Sequence, residues 1–125
     1  MPKIKALPKN TLSQGQSSPG ITRHLAFKGD GFLVVRSTAD PGTVSGWHEH
    51  GDYDVYGYVV SGTARLENGP EGEDAIVVGP GDFFHVPAHR VHRELNPSSS
   101  EGLEVILFLQ GSGQMVHNVD GPDSA

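Results

Sequence analysis

The chain has 125 residues and a formal net charge of -6 at pH 7, long enough to bury the core of one domain and without a basic patch to neutralise nucleic-acid phosphates. It contains no cysteine, so disulfides and thiolate ligands are excluded and any metal site must use His, Asp or Glu. No apolar run is long enough to span a membrane, and the opening MPKIKALPKNTLSQG lacks the apolar stretch of a secretion signal, so a cytoplasmic protein with no membrane partner is expected.

Seventeen glycines and nine prolines lie between short apolar runs, the punctuation of an all-β sandwich or barrel. Residues 1–20 mix Pro, Ser, Gln and Lys without periodicity and are expected to form an irregular arm. Strands are expected over residues 21–27 and 32–38, separated by the Lys28–Gly31 turn signal. After Asp40-Pro41-Gly42 come strands over 43–50, 54–60 and 63–67. Asn68-Gly69-Pro70-Glu71-Gly72 is the clearest hairpin loop. Strands over 74–78, 82–86 and 91–96 follow, then 103–109, a nearly continuous apolar run suited to a buried strand. Residues 111–125 form a polar tail. No stretch keeps a helical apolar period free of Gly and Pro, so the barrel domain, residues 21–110, is expected to be all-β with no helix.

The chemistry concentrates at His48-Glu49-His50. Side chains alternate along a strand, so two histidines one residue apart share a face, about 6.5–7 Å apart at Cα. Both rings can then meet one metal ion. With seven histidines in the chain, chance alone gives roughly 0.4 such pairs, so the triplet gains weight only from its context.

That context is a second histidine-bearing stretch, Gly81-Asp82-Phe83-Phe84-His85-Val86-Pro87-Ala88-His89-Arg90-Val91-His92-Arg93-Glu94-Leu95-Asn96. The two stretches together resemble the cupin superfamily, with motifs G(X)5HXH(X)3-4E(X)6G and G(X)5PXG(X)2H(X)3N. Gly42, His48, His50 and Gly62 fit the first, and Gly81, Pro87, His92 and Asn96 fit the second. The resemblance implies a jelly roll of two packed antiparallel sheets, commonly paired as a homodimer. It also implies a metal held by His48, His50 and His92. The first motif's glutamate falls on Val55 and the second motif's glycine on His89, so the resemblance implies three histidine ligands and no carboxylate. Some cupin dioxygenases use such a site.

Imidazole ligation suits one divalent transition metal, Fe, Ni, Cu or Zn. Three neutral ligands leave its charge uncompensated, which favours an anionic ligand. Val55 and Gly57, on the parity of the missing glutamate, are expected to leave open space beside the metal. His85, alternating with Phe83, is the candidate proton carrier in catalysis if it points inward. Arg36 is the best basic candidate for holding a substrate carboxylate. His89 reads as a loop residue at a pocket mouth. Tyr56 and Tyr58 are expected between the sheets or at a subunit contact, and Asn96 is expected to fix a turn.

The expected partner is a small molecule and the expected activity dioxygenase-like chemistry on it. Two other classes remain: a cupin that binds a small molecule without turnover, and a metal-assisted isomerase or lyase.

Overall fold

A computed structural model describes residues 2–122; Met1 of the expected arm and residues 123–125 of the expected tail lie outside the described residues. Eleven strands form in chain order: β1 Ser13–Gln14, β2 Ile21–Gly29, β3 Phe32–Ala39, β4 His48–Glu49, β5 Asp54–Ser61, β6 Ala64–Asn68, β7 Asp74–Val78, β8 Phe83–Val86, β9 His92–Leu95, β10 Leu103–Gln110 and β11 His117–Asn118. Helical structure among the described residues is limited to two short 3-10 turns, Lys9–Thr11 and Pro70–Gly72.

The strands build two antiparallel sheets that pack face to face. One runs β1-β2-β3-β10-β5-β8, the other β11-β4-β9-β6-β7. β10 is the centre of the larger sheet, in register with β3 on one side (Leu107 opposite Val35) and β5 on the other (Leu107 opposite Gly57). Its alternation is strict: Leu103, Val105, Leu107 and Leu109 are buried. Together with Val35, Val55 and Val59 they make the core, each such side chain contributing about 1.5–3 kcal/mol on burial.

Three expectations are corrected here. Residues 43–47 do not form a continuous strand. They run beside β9 through one bridge, Val44 to Leu95, with Ser45 Oγ accepting from the Glu94 amide at 2.8 Å. The arm is not irregular throughout, because Ser13 and Gln14 pair with Leu25 and His24. The 103–109 run is buried on one face only. Its apolar outer residue Phe108 stays 41% exposed and stacks on Phe32 at 5.8 Å.

The turn glycines behave as their positions require. Gly62 has φ 85°, and a Cβ there would lie 2.4 Å from the Gly102 carbonyl oxygen. Gly62→Ala therefore forces an L-residue into the left-handed region and pushes backbone against backbone. The expected cost is about 2–4 kcal/mol, read as a lower urea midpoint with an unchanged slope.

Candidate metal centre

The inner face of the smaller sheet turns polar at β4 and β9, while Ala64, Leu66 and Val78 of β6 and β7 join the apolar core. On β4 and just beyond it, His48 and His50 turn inward with Glu49 outward, and Glu49 accepts instead from the Gly51 amide at 2.8 Å. β9 lies beside β4 with His92 opposite His48. The three rings are buried, at 0%, 3% and 2% exposure. One ring nitrogen from each lies within 4.8 Å of the other two, and the ring centroids are 4.3–5.1 Å apart.

Each ring is pinned at the same atom. Nδ1 of His48 donates to the Gly46 carbonyl, that of His50 to Met115 and that of His92 to Arg90, all at 2.9 Å. A carbonyl can only accept, so every Nδ1 carries a hydrogen, and in the neutral ring that leaves the lone pair on Nε2. His92 Nε2 is buried with no hydrogen-bond partner. Three rings held as acceptors toward one space fit a metal ion, and they fit the usual arrangement in which a ligating histidine is oriented through its other nitrogen.

Burial keeps His48 and His50 neutral. It lowers the His48 pKa to about 4, helped by His92 and Arg23 against the opposing field of Glu94. It lowers the His50 pKa to about 3, with His92 and His48 adding to the effect. The unfolded chain, with histidines near 6.5, therefore binds more protons than the fold as pH falls. The stability these groups contribute is complete above about 6.5 and is lost downward through about 4 and then 3. Urea titrations of the metal-free protein should show midpoints that fall steadily between about pH 7 and pH 4. A midpoint that rose on acidification would contradict this.

Glu94 is a further inward-facing residue that the motif spacing does not mark. It follows His92 at the same strand parity, so it also turns inward, at 9% exposure. Its Oε1 lies 3.8 Å from His92 Nε2 and 3.9 Å from His48 Nε2. Burial raises its pKa, but the facing His92, His48 and Arg23 outweigh that and hold it below the ordinary carboxylate range. The cluster that can hold an ion is the three histidines alone, as expected, with this carboxylate standing next to it. The carboxylate comes from β9 and not from the β5 position occupied by Val55, which is buried in the core.

Arg23 is a second inward-facing charge that the motif spacing does not mark. It sits on β2 between Ile21 and Leu25 and is 1% exposed, with Nη2 3.3 Å from His48 Nε2. Desolvation lowers its pKa, opposed by Glu94, yet a guanidinium stays charged in proteins.

Several candidates are placed elsewhere. His85 is corrected: β8 parity is set by Phe84 and Val86, which face the core, so His85 faces outward. There its Nε2 meets Asp54 Oδ1 at 2.8 Å and its ring stacks on Tyr56 at 4.8 Å. Arg36 is also on an outer face, paired with Glu104. The open space expected beside Gly57 is filled by the Phe84 ring, which a Cβ at Gly57 would meet at 2.2 Å. Tyr56 and Tyr58 are on the outer surface of the larger sheet, not between the sheets. His89 takes the motif glycine's place with φ 64° and pairs with Asp52 at 2.8 Å on the surface. Asn96 fixes a turn as expected, its amide donating to the Ala39, Asp40 and Glu101 carbonyls.

A cleft of about 140 Å³ opens between the β7 and β8 edges. It is lined by Leu66, Ile76, Val86, Arg90 and His85 among others, and His92 contributes to its wall.

No curated protein matches the chain. Among solved structures, KdgF from Halomonas sp. is 26% identical, with a TM-score of 0.67 over 88% of this chain and 96% of that one. The polyketide cyclase RemF from Streptomyces resistomycificus is 18% identical, with a TM-score of 0.75 over 94% and 86%. Bacillus subtilis oxalate decarboxylase is 19% identical, with a TM-score of 0.72 over 86% of this chain but only 30% of that one. These likenesses agree with the two-sheet jelly roll. The Cupin domain family model matches residues 35–109, spanning both histidine-bearing stretches, and the chain belongs to the cupin family.

Proposed function

We propose that the chain is an enzyme that uses one divalent transition metal, iron, nickel, copper or zinc, to transform a small oxygenated molecule. His48, His50 and His92 hold the ion, and Glu94 is the fourth donor. The observation that carries this reading is convergence: three buried rings pinned at Nδ1 turn their Nε2 lone pairs to one space, with a carboxylate beside them. A histidine cluster kept for packing alone would find partners for both nitrogens, and His92 Nε2 has none.

When bound, such an ion supplies Lewis acidity and, if redox-active, electron transfer. The chain's own residues do the rest. The three backbone carbonyls fix the rings and keep their tautomer, so the donor set is preorganised. Glu94 offsets part of the ion's charge. The cleft beside His92, apolar at Leu66, Ile76 and Val86, admits a small molecule and limits water around it. No step is assigned to His85, which lies at the outer rim of that cleft with its Nε2 paired to Asp54.

Oxygenation is the reaction this reading favours. Metal-loaded protein is expected to consume oxygen with at least one member of a panel of β-dicarbonyls, flavonols and catechol-like acids. No uptake with any of them would remove the oxygenase reading. Turnover at the same rate without oxygen would move the chain to the isomerase and lyase class.

The reading includes a homodimer. Phe83, Tyr56, Tyr58 and Phe108 leave an exposed aromatic face on the larger sheet, with Phe83 78% exposed, and a second copy would cover it. Phe83→Asp is then expected to shift the protein toward the monomer in analytical ultracentrifugation.

A further inference from the structure

We infer that Arg23 selects the ligand of this site and that the ligand is a small molecule bearing a carboxylate, gripped side-on by the guanidinium. The inference rests on the metal-centre reading above and adds to it a substrate class and the residue that reads it.

Arg23 differs from the chain's other arginines in its surroundings. Arg36 pairs with Glu104, and Arg65 and Arg93 both pair with Glu67. Arg90 lines the surface cleft. Arg23 alone faces the barrel interior, and among the described residues no carboxylate lies within ion-pair distance of it. Glu94 offsets its charge from beyond ion-pair distance, but a buried guanidinium whose Nε–H has no acceptor is costly to keep out of water, and that donor calls for one.

The orientation of the planar group says where that acceptor goes. Nη1 is anchored on the arm side, donating to Ser18 Oγ at 3.1 Å and to the Gln16 carbonyl at 3.4 Å. Nε is buried with no partner. Nη2 faces His48 Nε2 at 3.3 Å, the lone pair assigned to the ion. Once that lone pair is engaged, Nη2 loses its acceptor. Nε–H and the Nη2–H beside it then form one edge of two parallel donors, with Nη2 on the His48 side. That edge matches the two oxygens of a carboxylate.

Charge agrees with shape. Three neutral imidazoles, the Glu94 carboxylate, the Arg23 guanidinium and a divalent ion leave a net positive site, which an anion neutralises. A carboxylate held by Arg23 lies beside the ion's position, so the same contact that confers affinity also orients the rest of the molecule.

The test uses the full chain loaded with Co(II), whose visible bands report what enters its coordination sphere. Acetate, acetamide and azide are titrated into the wild type, Arg23→Gln and Arg23→Lys, with cobalt stoichiometry and circular dichroism measured on each. In the wild type, acetate should shift the bands and acetamide should not. Arg23→Gln should keep its cobalt but bind acetate about 10- to 100-fold more weakly, while azide, which feels the lost charge but cannot use the fork, loses several-fold less than acetate does. Arg23→Lys, which keeps the charge and loses the fork, should remain about 10-fold weaker for acetate.

Acetate affinity unchanged in Arg23→Gln, equal losses for acetate and azide, or full rescue by lysine would each overturn the assignment. So would acetamide binding as well as acetate in the wild type, a result that needs no variant to fold. A wild type that takes up no cobalt would overturn the metal reading itself, and that outcome is separate from all of these.

Discussion

Replacing His48 and His50 together by alanine is expected to abolish the thermal stabilisation that a divalent transition metal confers on the wild type. An ion that binds only the folded state stabilises it by RT ln(1 + [L]/Kd), about 4 kcal/mol at a thousandfold excess over Kd. For a domain of this size that is a rise of roughly 10–20 °C in Tm. The diagnostic quantity is the difference with and without metal, not the absolute Tm. Removing two buried rings leaves cavities that lower stability whether or not they were ligands. A double variant that kept the metal-dependent rise would sink the histidine site, however unstable it was.

Glu94→Gln is the next largest effect and separates the present site from one with histidines alone. The substitution keeps the shape and removes the charge. As a donor 3.8–3.9 Å from two ligand nitrogens, the carboxylate is expected to be worth about 10- to 100-fold in metal affinity, measured by competition with a chelator. A second consequence needs no metal. Glu94 is the buried anion whose field offsets Arg23 from beyond ion-pair distance, so its loss should lower the urea midpoint of the metal-free protein. Unchanged affinity would remove Glu94 from the donor set, and unchanged metal-free stability would deny its coupling to Arg23.

Most of the barrel is legible in the sequence because its strands keep period two between turn glycines. β7 has the expected bounds, and β2, β3, β5 and β10 extend the expected ones by one or two residues. β1 and β11 escape such reading, since two residues become a strand only through their partners β2 and β4. The three histidines follow from spacing. Glu94 was legible by the same rule that joins His48 to His50, because His92-Arg93-Glu94 also puts its outer members on one face. The motif directed attention to Val55 instead. Arg23 occupies the apolar parity of Ile21 and Leu25, where a charge is rarely buried, whereas Arg36 takes the opposite parity to Val35. His85 depends on which face of β8 packs inward. That is decided by Phe84 seating its ring over Gly57 across the β5–β8 pair, a contact between distant segments that no local pattern contains.

The central claim is that one ion sits where three Nε2 atoms and one carboxylate meet. Anomalous diffraction from crystals of the metal-loaded protein, collected at the metal's absorption edge, tests it most directly. The expected result is a single strong peak about 2.0–2.2 Å from Nε2 of His48, His50 and His92, on the side that Glu94 faces. No peak there, or peaks confined to surface histidines such as His85, His89 and His117, would contradict it.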